Sequence, residues 1–226
     1  MLASPFLLAW HDRVIAPRLV ARAALRAAET PQAASVIVAG LGRVGQVVAR
    51  LLNASGFHPT VLDGDPDRVE QCRKFGFRVF YGDATRLDLL HAAGADTADF
   101  LIIALDAPEA ATRLAETARK HFPKLRIIAR ARDMRHLFRL RDLGVDTIER
   151  ETWLSALSLG ERALSAISGD AERAQRAAQA FAEHDREVLA KLYEVHRSAP
   201  DAHITVSNQL RDELARTLSE DEGQAG

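Results

Sequence analysis

The feature that most limits what this chain can become is a set of three glycines, Gly40-Leu-Gly42-Arg-Val-Gly45, lying between an apolar run and an amphipathic stretch. Val36-Ile-Val-Ala39 is β-branched and free of charge, the mark of a strand buried on both faces. From Gly45 to Ala54 the apolar side chains recur at helical spacing. A glycine-rich turn between such a strand and such a helix meets a specific physical demand. Gly40 makes the tight turn, Gly42 lets the backbone approach a pyrophosphate, and Gly45 lets the helix lie close on the strand. The helix N-terminus then offers free N–H groups and a partial positive charge to an anion. We therefore read Gly40, Leu41, Gly42, Arg43, Val44 and Gly45 as a phosphate-binding loop, with the Arg43 guanidinium adding a charge-assisted contact.

The remainder of the first 150 residues repeats this unit. Thr60-Val-Leu62, Arg78-Val-Phe-Tyr81, Phe100 to Ala104, Arg126 to Ala129 and Val145 to Ile148 read as further short strands. Helical stretches separate them: Pro66 to Phe75, Leu87 to Ala93, Pro108 to His121, and Met134 to Leu143. The alternation predicts an α/β fold, a doubly wound six-stranded parallel sheet of the Rossmann type, complete by about residue 149. Beyond it the composition shifts to Ala, Glu, Arg and Leu. Residues 151–168 and 170–197 read as two helices parted by Ser168-Gly169, a C-terminal helical extension. The predicted organisation is a segment over 1–34, a nucleotide-binding domain over 35–149, paired helices over 150–198 and a flexible tail over 199–226.

An acid is expected at the end of the second strand, about 20 residues after the glycines, to hydrogen-bond ribose hydroxyls. Asp63 stands there. The competing reading is that Asp63 merely caps the turn. No arginine adjoins it to welcome a 2′-phosphate, so NAD(H), or AMP alone, is favoured over NADP. Asp83 and Ala84, after the third strand, are placed to meet the adenine or ribose. Thr85 and Asp106 read as caps of the helices that follow them.

Catalytic groups are harder to find. The chain has no Tyr-x-x-x-Lys, its tyrosines being Tyr81 and Tyr193 alone, and its histidines show no metal-ligand spacing. His184 and His196 fall in charged helical sequence and read as solvated. The pattern predicts a domain that reads a nucleotide without turning it over. An NAD-dependent oxidoreductase and a structural dimerisation module with a vestigial nucleotide site are the alternatives. A net charge of -1 gives no reason to expect nucleic acid. The single Cys72 excludes an intrachain disulfide. At the N-terminus an apolar opening, Met1 to Trp10, precedes Arg13, Arg18, Arg22 and Arg26. On those residues alone it reads equally as a helix packed on the domain or as the cytoplasmic end of a membrane helix.

Several stretches together carry a more specific signal. Val36 to Gln46, Val-Leu-Asp63-x-Asp65-Pro-Asp, Arg-Lys-Phe75-Gly, Val-Phe-Tyr-Gly-Asp-Ala-Thr85, Ile-Ile-Ala-Arg-Ala-Arg-Asp133 and Glu-Arg150-Glu-Thr resemble the KTN (RCK-type) regulatory domain of the Kef glutathione-regulated potassium efflux antiporters. The resemblance implies a homodimer with swapped helices, NAD(H) or AMP in the crevice, and glutathione or its adducts at the dimer interface. It also implies a membrane antiporter domain as partner, at the cytoplasmic face of the bacterial inner membrane, with residues 1–30 as the end of its last helix and a connector. The resemblance leaves open whether this chain is a fragment or stands alone. By motif position it assigns Arg50 and Arg150 to glutathione, Phe75 to the aromatic that glutathione displaces, and Gln46 to the surface facing the membrane domain. One position departs. Asp185 stands where the family has an asparagine, and an ionised carboxylate cannot donate to a peptide as an amide can.

Overall fold

A computed structural model describes residues 35–198. The N-terminal segment and connector expected over 1–34 and the tail expected over 199–226 lie outside the described residues. By contact the chain divides into two units. Among the described residues, the first holds 35–130 together with Leu143–Glu149, and the second holds Ala131–Asp142 and 150–198.

The elements follow in strict alternation: β1 (Val36–Ala39), α1 (Arg43–Ala54), β2 (Thr60–Asp63), α2 (Pro66–Lys74), β3 (Arg78–Tyr81), α3 (Leu87–Ala93), β4 (Phe100–Ile103), α4 (Pro108–His121), β5 (Arg126–Ala131), α5 (Met134–Asp142) and β6 (Thr147–Arg150). The strands form one sheet in the order β3-β2-β1-β4-β5-β6. Val38 of β1 pairs in parallel with Val61 on one side and Ile102 on the other. This is the expected doubly wound parallel sheet, and its strand order reverses between β1 and β4. β1, at the centre, is buried along its whole length, which is why its sequence is an unbroken apolar run instead of an alternation. Val36, Val38, Val61, Val69 and Val79 pack with Ala49 of α1 into one core cluster.

Local chemistry sets the element boundaries. Asp65 caps α2 by accepting the Asp67 and Arg68 N–H groups at 3.0 and 3.2 Å, with Pro66 in the first turn. β6 begins two residues later than the sequence pattern predicts. Val145 is buried in the approach, and Asp146 takes over the pairing there. Its N–H donates to the Ile127 carbonyl at 3.1 Å, and its carboxylate accepts the Ile127 N–H at 2.6 Å. A side chain thus replaces a strand partner, which a hydropathy pattern does not reveal.

In the second unit α6 (Trp153–Ser168) and α7 (Ala171–Ser198) pack on each other, joined through Gly169 in the left-handed region at φ +71°. Trp153 stacks on Phe181 with ring centroids 5.6 Å apart. Tyr193 of α7 lies 5.6 Å from the Phe138 ring of α5 and donates its hydroxyl to Asp142 at 2.8 Å. α6 buries none of its residues, and Leu154, Leu159, Leu164 and Ile167 stand exposed along it. No described helix is long and apolar enough to cross a membrane.

Candidate nucleotide-binding site

The glycine turn after β1 is built as its sequence demands. Gly40 has φ +97°, and a Cβ there would lie 2.9 Å from the Ala104 carbonyl oxygen after β4. A Cβ on Gly45 would fall 1.8 Å from the Gly40 carbonyl oxygen, so only glycine lets α1 start this close to the turn. Gly42 is the N-cap of α1 and supplies no side chain to cap it. The first turn of α1 also carries no acid, unlike those of α2, α3 and α4. A helix start whose N-cap has no side chain and whose own first turn carries no acid is suited to receive an anion from outside. Leu41 is buried, Val44 half-buried and Arg43 exposed.

Asp63, at the end of β2, is 4% exposed, and its carboxylate organises the crevice. Oδ2 accepts the Leu41 N–H at 2.5 Å, and Oδ1 accepts the Asp65 N–H at 2.8 Å. The capping reading is therefore correct as far as it goes, and it fixes the acid in place. No arginine adjoins this acid in sequence, as expected, but one does in space. Arg68, one turn into α2, brings its Nε and Nη2 to Asp63 Oδ1, each at 3.2 Å, and reaches Asp65 at 3.4 Å. Five residues in sequence hide this approach, because the turn and the first turn of α2 fold the guanidinium back onto the strand end. Oδ2 accepts the Leu41 N–H, and a carboxylate oxygen accepts two hydrogen bonds, which leaves acceptor capacity for a ribose hydroxyl.

Asp63, Tyr81, Asp83, Ala84, Leu105 and Ala110 are among the residues lining a cleft of about 390 Å³ beyond the ends of β2, β3 and β4. That is within the size range of small-ligand sites. Asp83 and Ala84, which follow β3, both line this cleft. Thr85 does not cap α3, whose N-cap is Arg86. Its N–H and hydroxyl both donate to Asp83 Oδ1, at 2.9 and 2.8 Å. Those two bonds hold the Asp83 carboxyl below its ordinary pKa, so the group stays ionised and acts as an acceptor. Asp106 does not cap α4 either, since Ala107 is its N-cap. It pairs instead with Arg130 of β5, at 2.9 Å. Both expectations fail for the same reason: the capping carboxylate or hydroxyl found a nearer partner.

The four residues assigned to glutathione fall in two places. Gln46, Arg50, Cys72 and Phe75 are among those lining a groove of about 480 Å³ between α1 and α2 in the first unit. Arg50 is exposed, and its Nε donates to the Gln46 carbonyl at 3.3 Å. Phe75 is 69% exposed, an aromatic ring with no buried seat. Burial in the groove pushes the Cys72 thiol up in pKa, and the Asp63 charge adds to this. In the second unit Arg150 forms a two-pronged ion pair with Asp185, its Nη1 reaching Oδ1 at 3.2 Å, while its guanidinium lies 3.8 Å over the Trp153 ring. His196, expected to be solvated, packs 4.9 Å from the Phe138 ring and approaches Asp142 at 3.3 Å. Sequence reasoning missed Arg68 and Arg130. The available signal for the second was a charged residue inside the otherwise apolar Ile127-Ile-Ala-Arg-Ala131.

Comparison with known proteins adds three findings. Residues 36–151 match the model of the TrkA-N domain, and residues 155–225 match the potassium efflux system KefB C-terminal domain. The chain is 43% identical over 186 residues to the glutathione-regulated potassium-efflux system protein KefC of Enterobacter sp. (strain 638), covering 82% of this chain and 30% of that one. It is 50% identical over 157 residues to the Salmonella arizonae protein of the same description, covering 70% and 25% respectively. The chain thus spans less than a third of the length of these relatives. Among solved structures, the Shewanella denitrificans Kef C-terminal domain in its AMP-bound form aligns with a TM-score of 0.65 and 46% identity, covering 71% of this chain and 99% of that one.

Proposed function

From a chain that belongs to the TrkA-N domain family and continues into the C-terminal domain of potassium efflux systems, we propose a regulatory function: it binds NAD(H) or AMP and thereby gates a potassium efflux antiporter. The observation that carries this reading is the pairing of α1's helix start, capped by no side chain, with Asp63 fixed beside it. In the bound state the loop from Gly40 to Gly45 would hold phosphate through its N–H groups, and Asp63 would accept from ribose hydroxyls. Asp83 and Ala84 would line the adenosine side. The AMP-bound state of the Shewanella denitrificans domain supports the choice of ligand.

The remaining parts of the proposal concern partners. The relatives are described as glutathione-regulated, and Arg50 and Phe75 share one groove here. Arg50 and Arg150 would meet the carboxylates of glutathione or its adducts. The exposed apolar residues of α6 support a homodimer formed through swapped helices, because Leu154, Leu159, Leu164 and Ile167 leave an apolar surface for another chain. Ligand binding would favour one dimer arrangement, and the membrane antiporter domain would respond to the shift in population. On this reading the domain would lie on the cytoplasmic face of the bacterial inner membrane. A nicotinamide-dependent reductase finds less support. Tyr81 lines the adenosine end of the crevice, and Tyr193 is bonded to Asp142 in the other unit.

Titration calorimetry with AMP, NADH and glutathione tests the reading. Saturable binding of AMP or NADH, abolished by Gly42→Asp, is the expected result. Nucleotide binding unchanged by Gly42→Asp would overturn the assigned phosphate loop, and steady NADH oxidation with small carbonyls would favour the enzyme.

A further inference from the structure

Arg130 is the one arginine in the described sheet strands that is almost fully buried, at 5% exposure. A charge this deep is costly unless paired, and its guanidinium meets Asp106 at 2.9 Å. Asp106 itself is 57% exposed at its side chain, so the pair is a buried cation holding a surface carboxylate in position. The position is informative. A Cβ built on Gly42 would come within 3.0 Å of Asp106 Oδ2, so this carboxylate touches the phosphate loop from the β4 side. The loop and the β4 end are in contact there, as the approach of Gly40 to Ala104 also shows. The strand order reverses between β1 and β4. A dinucleotide lies across that reversal, whereas a mononucleotide ends at the loop. Asp106 is therefore on the path of the second half only, as Asp63 is on the path of the first.

Resting on the nucleotide-binding reading above, we infer that the Arg130-held Asp106 carboxylate sets the preference for dinucleotide over mononucleotide. Two effects act in one direction. The carboxylate accepts hydrogen bonds from the hydroxyls of the second ribose, which only a dinucleotide has. It also repels a terminal phosphate monoester, which carries nearly two charges at neutral pH, more than it repels the singly charged phosphates of a pyrophosphate diester. Arg130 is a positioning residue: buried at 5% exposure, it holds the carboxylate against the loop.

The test is calorimetry of the full chain with NADH and with AMP, in the original sequence and in Asp106→Asn. The expected result is an NADH affinity about tenfold weaker, with AMP binding unchanged or tighter, so that the ratio of the two affinities moves at least tenfold. Retained AMP binding shows that the variant is folded. Arg130→Lys, which keeps a cation for the pair, is expected to preserve much of the NADH preference, whereas Arg130→Met is expected to move the ratio as Asp106→Asn does. Equal losses for both ligands in Asp106→Asn, or no change for either, would overturn this inference while leaving the nucleotide site in place. Failure of the original chain to bind either ligand would instead overturn the nucleotide reading, and this inference with it.

Discussion

The Asp63 carboxylate accepts the Leu41 N–H at 2.5 Å, so the acid at the end of β2 holds the glycine turn at the end of β1. The residue that would read the ribose is therefore also the residue that shapes the phosphate loop. Binding and stability are coupled at this side chain.

That coupling predicts a double penalty for Asp63→Ala. The Leu41 N–H is buried and would lose its acceptor, while Arg68 would lose its closest carboxylate. An orphaned buried donor costs about 1–3 kcal/mol, which for a chain of this size lowers Tm by roughly 2–12 °C. Asp63→Asn keeps an acceptor for Leu41 and is expected to recover much of the stability, yet still bind nucleotide more weakly. Thermal melts with and without AMP check this. Equal Tm for Asp63→Ala and the original chain would show that the turn stands without the acid.

The three glycines are not equivalent, and Gly45→Ala is expected to be far worse than Gly42→Ala. The new methyl at Gly45 meets the Gly40 backbone oxygen at 1.8 Å, and backbone cannot swing aside. At Gly42 it meets the Asp106 carboxylate at 3.0 Å, a side-chain end that can give by a few tenths of an ångström without leaving Arg130. Gly45→Ala should fail to give soluble folded protein. Gly42→Ala should melt within a few degrees of the original yet lose nucleotide affinity. Circular dichroism followed by AMP titration separates the two, and a well-folded Gly45→Ala would contradict the assigned geometry.

The sheet and the loop were legible in the sequence because each rests on local pattern. Buried parallel strands write themselves as short apolar runs, and the glycines mark the one turn where a Cβ has no room. What could not be read is what a side chain does after the backbone has folded. Arg68 reaches Asp63 only because Asp65 and Pro66 start a helix between them. Thr85 and Asp106 carry good capping residue types, but Asp83 and Arg130 bind them first. Asp146 substitutes for a strand residue by aiming its carboxylate at Ile127, which delays β6 by two residues.

Asp146 also makes stability depend on pH. Burial is the largest single influence on its carboxyl and raises its pKa. The Ile127 N–H and the Arg119 guanidinium together outweigh burial, and the folded value falls below the usual one. A depressed folded pKa gives stability that is present above the unfolded value, about 3.9, and is lost as pH falls through the folded value. The stability difference between the original chain and Asp146→Asn should therefore be constant above about pH 5 and shrink below about pH 4. Urea midpoints from pH 7 to pH 3 measure it. A difference that stays constant to pH 3 would mean that the charge on Asp146 contributes nothing.

The last prediction concerns the position where this chain departs from the Kef pattern. Asp185 places a carboxylate in the fork of Arg150, the position that the proposed reading gives to a carboxylate of glutathione. A charged side chain tethered at that point competes with the ligand from within the protein. Asp185→Asn replaces a two-pronged charged acceptor by a single neutral one, and removes a negative charge that repels glutathione. Arg150 should keep its orientation in this variant, because its guanidinium also lies 3.8 Å over the Trp153 ring. Glutathione affinity is therefore expected to rise by about tenfold, equivalent to about 1.4 kcal/mol, while AMP affinity stays the same. Arg150→Ala should abolish the glutathione response in either background. Calorimetric titration of the four chains decides the matter: weaker glutathione binding in Asp185→Asn would mean that Asp185 positions Arg150 for the ligand and does not compete with it.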